Sequence, residues 1–374
     1  MMTRKPLRLA VQTAIAVLLA GAAAAQPTGV DRLRAPWPDR AAVDGIEGQA
    51  VSFPTGDPFT LADVGQEESE VGIREAQAEL FLPPAEGHDD GGRADAAARA
   101  GTHREGPTAA PWPAVVLVHG AGGVSRAREL TYARQFAAMG VAALVVDAFG
   151  ARRDLATGFT ERLLNVTETM LLADAYAGLH YLAARQDIDG DRIALIGFSY
   201  GAMASVFGAY AQVAETLAPG DGEGPGPRFA AHVAFYGPCI ARFAEPRTTG
   251  APVLMMAGTE DAIVDIGRCE QIAADLREGG SRVETLWFEG AWHQWDGAFA
   301  GPRPIGRNLA RCRLRVDEDG GVADLRTGLP MTGPVTRRLI LGLCVEDAGY
   351  LIGRDDGVRA RSNAAMGRFL AAAL

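Results

Sequence analysis

Short apolar runs alternate with stretches of helical periodicity through the middle of the chain. Ala114–Val118, Val141–Val146, Ile193–Ile196, Ala231–Tyr236, Val253–Ala257 and Val283–Phe288 are the runs. Helical spacing covers Arg126–Met139, Glu161–Ala184, Ala202–Thr216 and Gly267–Glu278. Continuous apolar runs of strand length are buried on both faces, and intervening helices supply the cover. The pattern therefore predicts an α/β fold: a mostly parallel central sheet with helices on both faces.

The flanks read differently. Gln26–Gly72 is rich in Asp, Gly and Pro and reads as an irregular N-terminal extension. Ala76–Leu82 reads as an early strand, stopped by Pro83 and Pro84. Glu86–Pro111 has almost nothing large and apolar and reads as a flexible insertion. The alternation lapses over Gly301–Tyr350, an excursion from the core sheet, and resumes as a terminal helix over Ser362–Leu374. The main domain is thus expected over residues 73–374.

At the N-terminus, Arg4, Lys5 and Arg8 precede an apolar stretch from Leu9 to Gly21, and Ala23-Ala24-Ala25 offers a small-residue cleavage site. Residues 1–25 read as a secretory signal peptide. No later stretch is long and apolar enough to span a membrane. The expected location is periplasmic or secreted, with no membrane partner once the leader is cleaved.

The chain has 374 residues, 48% hydrophobic and 22% charged, which is globular composition. Its net charge is −10. Of 36 basic residues, removing Arg4, Lys5 and Arg8 leaves 33 against 46 acidic ones, a balance of −13. That gives no electrostatic reason to bind nucleic acid or an anionic surface. Lys5 is the only lysine. Past the leader, chemistry that needs a lysine is excluded: a Schiff base, a phosphate-loop lysine or a Ser-x-x-Lys base.

Cys239, Cys269, Cys312 and Cys344 are an even set in a chain read as exported, so disulfides are expected. Four cysteines allow three pairings. Cys239–Cys269 and Cys312–Cys344 are preferred because they close the shortest loops. No C-x-x-C pair points to a metal site, and none is expected.

Gly197-Phe198-Ser199-Tyr200-Gly201 directly follows one apolar run and directly precedes a helix. G-x-S-x-G in that context is a nucleophile turn, so tight that its flanking positions must be small. Ser199 is the expected nucleophile. The Tyr200 amide, at the helix start, is the expected first oxyanion donor. The loop His119-Gly120-Ala121-Gly122-Gly123 follows the first core run and supplies a second donor: Ala121, with Gly122 its competitor. His119, at a strand end, is expected to be structural. The loop does not supply the dinucleotide pattern G-x-G-x-x-G with a suitably placed acid.

A serine needs a base, and the base needs an acid to fix its tautomer. The chain order for such sites is Ser, acid, His. His232 and His293 are the histidines downstream of Ser199. His232 lies within a core run, whereas His293 follows the last run in a loop at the carboxyl edge, so His293 is expected as base. Glu260, Asp261 and Asp265 all follow the run 253–257; Asp261 is the choice among them. Asp147 precedes the serine and reads as loop-organising. Trp292 and Trp295 flank His293 and are candidate substrate walls, with Phe149 and Tyr200 nearby. Arg152 and Arg153 are candidate clamps for a substrate carboxylate.

Together, Leu117–Gly123, Gly197–Gly201, Gly258-Thr259-Glu260-Asp261 and Gly290-Ala291-Trp292-His293 resemble the dienelactone hydrolase family of α/β-hydrolases. Phe235-Tyr236-Gly237-Pro238-Cys239 followed by Cys269 looks like an exported branch. The resemblance implies the α/β-hydrolase fold, no cofactor, and a small ester or lactone substrate. The founding activity uses a cysteine nucleophile, where this chain has Ser199. It also has an oxyanion-loop glutamate, where this chain has Gly120. These departures favour a serine esterase. A peptidase or amidase on the same fold is the alternative, and a non-catalytic binding protein a third reading. Oligomeric state is left open.

Overall fold

A computed structural model describes residues 29–64, 72–84, 111–155, 158–220 and 224–374. The leader, and the insertion at 86–111 apart from Pro111, lie outside the described residues.

The central sheet is built from β1 (Gln49–Gly56), β2 (Ile73–Phe81), β3 (Trp112–Val118), β4 (Ala142–Asp147), β5 (Ile188–Phe198), β6 (Ala231–Phe235), β8 (Val253–Gly258) and β9 (Val283–Phe288). Their spatial order is β1-β2-β4-β3-β5-β6-β8-β9. All neighbours from β4 to β9 run parallel, while β1, β2 and β4 pair antiparallel. The missing number, β7 (Ala241–Phe243), lies outside this sheet.

The apolar runs explain the centre. Val116 pairs with Leu144 on one side and Leu195 on the other, and all three are fully buried. Burying such a side chain contributes roughly 1.5–3 kcal/mol. Covering both faces are α2 (Glu129–Ala138), α4 (Glu168–Ala183), α5 (Tyr200–Phe207), α7 (Ile266–Glu278) and α9 (Asp356–Ala373). Shorter helices are α1 (Arg40–Val43), α3 (Phe159–Asn165) and α6 (Ala211–Leu217).

Several elements differ from the sequence reading. Glu161–Ala184 is two helices, because Thr167 caps α4 by accepting from the Met170 amide (3.4 Å). Ala202–Thr216 is also divided, into α5 and α6. The terminal helix starts at Asp356, where Asp355 caps it through the Val358 amide (2.9 Å). The N-terminal extension is not irregular throughout: β1 joins the sheet edge. Its alternation is weak because only Phe53 is buried, and Pro54 is tolerated because an edge strand has one unpaired side.

The excursion has structure of its own. It contains β10 (Arg303–Ile305), β11 (Leu314–Val316), β12 (Val322–Asp324), α8 (Pro334–Cys344) and β13 (Tyr350–Ile352). β11 pairs parallel with β7 and antiparallel with β12, and β10 pairs with β13. Disulfides join Cys239 to Cys269 and Cys312 to Cys344. Among the described residues, no helix is long and apolar enough to cross a membrane.

Candidate active site

Parallel strands bring their carboxyl ends to one edge, and the loops there carry the candidate residues. Ser199 stands between β5 and α5 with φ 53° and ψ −109°, a conformation rare for a residue with a side chain. The flanking glycines make the turn possible. A Cβ at Gly197 would lie 2.0 Å from the Gly201 carbonyl oxygen. The Ser199 amide donates to the Phe235 carbonyl (2.9 Å), and the Ser199 carbonyl accepts from the Ala202 amide (3.0 Å). The strained residue is thus held from both sides.

His293 Nε2 lies 2.8 Å from Ser199 Oγ, and His293 Nδ1 lies 2.7 Å from Asp261 Oδ2. All three side chains are buried; Ser199 is 6% exposed. The second oxygen of Asp261 accepts from the Ile263 amide (3.2 Å). The other acids stand elsewhere. Glu260 is exposed. Asp265 caps α7 through the Arg268 amide (3.2 Å) and pairs with Arg313. The acid loop and the histidine loop are in direct contact, since a Cβ at Gly258 would lie 2.1 Å from the Ala291 carbonyl oxygen.

The Gly-rich loop after β3 abuts the serine: a Cβ at Gly120 would come 3.2 Å from Ser199 Cβ. The Gly123 amide closes a turn onto the Gly120 carbonyl (3.0 Å). That turn bond leaves the amides of Ala121 and Gly122 uncommitted within it. Tyr200 is the first residue of α5, where a helix has no carbonyl of its own for the amide to meet. His119 is fully buried and bonds the Gly120 carbonyl through Nδ1 (2.8 Å), and burial lowers its pKa below the ordinary histidine value. His232 is buried in β6, and Asp147 accepts from the Gly150 amide (2.8 Å).

Two sets of candidate substrate residues stand elsewhere. Arg152 is fully buried, and its guanidinium is taken up by protein partners. It pairs with Asp174 (2.6 Å) and Asp57 (2.6 Å) and donates to the carbonyls of Gly56 and Ala148. Arg152 is thus committed to the fold and not free to clamp a substrate, while Arg153 is exposed. Trp295 is fully buried too, donating to Ser362 Oγ (3.1 Å) and packed on Tyr236 and Phe288. It is core, not wall. Trp292 is half-buried. A charge pair or an aromatic pair at a strand end does not reveal in sequence which way its side chains turn.

Other residues at the site escaped the sequence reading. Tyr236 sets its ring edge-on to His293 at 4.7 Å, and Tyr350 does so at 5.1 Å from the other side. Burial pushes both phenols well above their ordinary pKa. Tyr236 has φ 45° and donates its hydroxyl to Asp296 (2.6 Å). The His293 backbone is held by β13: its amide donates to the Leu351 carbonyl (3.1 Å), and its carbonyl accepts from Gly353 (3.1 Å). Asn308 donates to the Ala262 carbonyl (2.9 Å), beside the acid. Tyr236 lies in a motif visible in sequence; Tyr350 and Asn308 lie in the excursion, where no periodicity marked them.

A mostly parallel sheet with a serine on the strand–turn–helix after β5, and further site loops at the same edge, is the α/β-hydrolase architecture. The dienelactone hydrolase family model matches residues 101–312, more than half of the chain, and the chain belongs to that family of hydrolases. Solved structures are similar at low identity. A dienelactone hydrolase-like promiscuous phosphotriesterase from metagenomic libraries is 18% identical with TM-score 0.41, covering 67% of this chain and 84% of that one. A dienelactone hydrolase from Klebsiella pneumoniae is 19% identical with TM-score 0.39, covering 66% and 88%. A thermophilic esterase from Thermogutta terrifontis is 16% identical with TM-score 0.44, covering 68% and 84%. No curated protein matches the chain.

Proposed function

We propose that the protein is an exported serine hydrolase that cleaves a carboxylic ester or lactone through an acyl-Ser199 intermediate. One observation carries the reading: the unbroken hydrogen-bond chain Ser199 Oγ–His293 Nε2, His293 Nδ1–Asp261 Oδ2.

In this mechanism Ser199 Oγ attacks the substrate carbonyl carbon while its proton passes to His293 Nε2. The negative charge that develops on the carbonyl oxygen is held by the amides of Tyr200 and Ala121. The tetrahedral intermediate collapses, the carbon–oxygen bond to the alcohol breaks, and the alcohol leaves with the proton from Nε2. A water then gives a proton to Nε2 and its oxygen to the acyl carbon. Ser199 regains its proton as the acid leaves. Asp261 fixes the tautomer of His293 and stabilises the imidazolium. Every step uses this chain's own groups, so the mechanism calls for no cofactor.

Export is part of the proposal. Both disulfides suit an oxidising compartment, in keeping with the leader read in residues 1–25.

The test is turnover of p-nitrophenyl esters of graded chain length, an aryl lactone and a peptide anilide by the oxidised protein, with Ser199→Ala alongside. The expected result is ester or lactone turnover that falls by about 10³-fold or more in the variant. Full turnover by Ser199→Ala would overturn the mechanism. Turnover of the anilide alone would assign the site to amide bonds instead.

A further inference from the structure

Arg337 stands on α8, beyond the last residue matched by the family model. Its guanidinium is buried and fully engaged. Nε donates to the Leu163 carbonyl (2.7 Å), and the two terminal nitrogens hold both carboxylate oxygens of Glu168 (3.0 and 3.1 Å). One of them also donates to the hydroxyl of Tyr200 (3.1 Å). That hydroxyl in turn donates to the Val166 carbonyl (2.8 Å). The Tyr200 phenol is therefore tied at both its lone pair and its proton, and burial raises its pKa well above the ordinary value.

The position of Tyr200 gives this anchorage a consequence for catalysis. It follows the strained Ser199 directly, and its amide is the proposed oxyanion donor. A strained residue persists only where its surroundings over-determine it. Oxyanion stabilisation depends on donors that need no reorganisation as charge develops. The anchored ring fixes the residue whose amide must not turn.

We propose that Arg337 is a positioning residue for the oxyanion site: by pinning the Tyr200 phenol against the α3–α4 junction it keeps the Tyr200 amide aimed at the developing charge. Arg337, outside the family's matched region, thus supports the family's site. This inference rests on the acyl-Ser199 reading.

Arg337→Met alone would strand the buried Glu168 carboxylate and destabilise the fold. The test therefore uses Glu168→Gln/Arg337→Met, which removes both charges, and Tyr200→Phe, which leaves the ion pair in place. Folding is checked by circular dichroism and melting temperature, and kcat and KM are measured on a short ester. Each variant is expected to lose about 10–100-fold in kcat, part of the 10²–10³ that losing a whole donor costs. KM should stay within about threefold, and the triple variant should be no slower than the slower parent. Folded variants with wild-type kcat, or losses that multiply in the triple variant, would overturn the proposal. If the double variant does not fold, Tyr200→Phe decides in the same way. Ser199→Ala runs in parallel. Its inactivity beside a fully active Tyr200→Phe overturns the Arg337 proposal alone, whereas activity in Ser199→Ala overturns both.

Discussion

Gly201 lies so close to Val118 that a Cβ on it would stand 2.3 Å from the Val118 carbonyl oxygen and 2.7 Å from that of His119. Both are backbone atoms of β3 and the loop beyond it, so neither can move aside cheaply. The nucleophile helix reaches the sheet only because this residue has no side chain. Gly201→Ala is expected to separate α5 from the end of β3. Ester turnover should drop by about 10²-fold or more, since misplacement near 1 Å has that effect, and the melting temperature should fall. Gly342→Ala is the contrasting variant. A Cβ there meets open space on the exposed face of α8. It should leave activity unchanged and stabilise by up to ~1 kcal/mol.

Asp261→Asn tests the acid. The substitution keeps size and removes the charge 2.7 Å from His293 Nδ1. An amide can donate to Nδ1 and so favours the wrong tautomer for a base. The expected loss in kcat is on the order of 10³–10⁴ at neutral pH, with folding intact. Glu260→Gln, on an exposed neighbour, should stay within about twofold of the parent. Equal losses in both would remove Asp261 from the mechanism.

The core sheet and the three catalytic candidates were legible in sequence because their signals are local. β3, β4 and the Ile193–Ile196 part of β5 carry continuous apolar runs, and Ser199 sits inside its own turn signature. Asp261 and His293 follow strands at the edge where such loops must gather. What stayed hidden depends on tertiary direction. Arg152 and Trp295 sit at the right strand ends, yet their side chains turn inward, toward Asp174 and Ser362. Arg337 reaches Tyr200 across 137 residues, and no local pattern encodes that contact. β1 is hard to read because an edge strand with a single buried residue scarcely alternates.

Arg152→Ala separates a structural role from a binding one. The side chain is fully buried between Asp57 and Asp174, and Asp174 is itself fully buried. Removing the cation leaves a carboxylate in the core, with a loss of about 3–5 kcal/mol in stability. Arg153→Ala, on an exposed position, should change stability by no more than ~0.5 kcal/mol. Urea unfolding reads both. A raised KM at unchanged stability in Arg152→Ala would restore the carboxylate clamp.

The Cys312–Cys344 bond closes the part of the excursion that holds Tyr200 through Arg337, with a sequence separation of 32. By loop-closure entropy, a cross-link of that span contributes about 3–4 kcal/mol. Cys312→Ser/Cys344→Ser should lower the unfolding free energy by about that amount. It should also reduce activity before global unfolding as temperature rises, because the segment it constrains carries Arg337, which holds Tyr200. Coincident loss of activity and far-UV signal would show that the excursion has no separate opening.

His232 makes stability depend on pH apart from catalysis. It is buried in β6 against Phe229, and desolvation lowers its pKa to about 4. In the unfolded chain it titrates near its ordinary value of about 6.5. Between those values the unfolded state binds the proton and the folded state does not. Stability therefore rises with pH across this window, and is lost as pH falls from about 6.5 toward 4. The full span corresponds to roughly 3 kcal/mol. His232→Gln should flatten that part of the stability profile while leaving the pH dependence of ester turnover unchanged, because His232 does not touch Ser199, Asp261 or His293. Urea unfolding at pH 4.5 and 7.5, near the ends of the window, measures the difference for parent and variant. An unchanged slope in the variant would assign the acid lability to other groups.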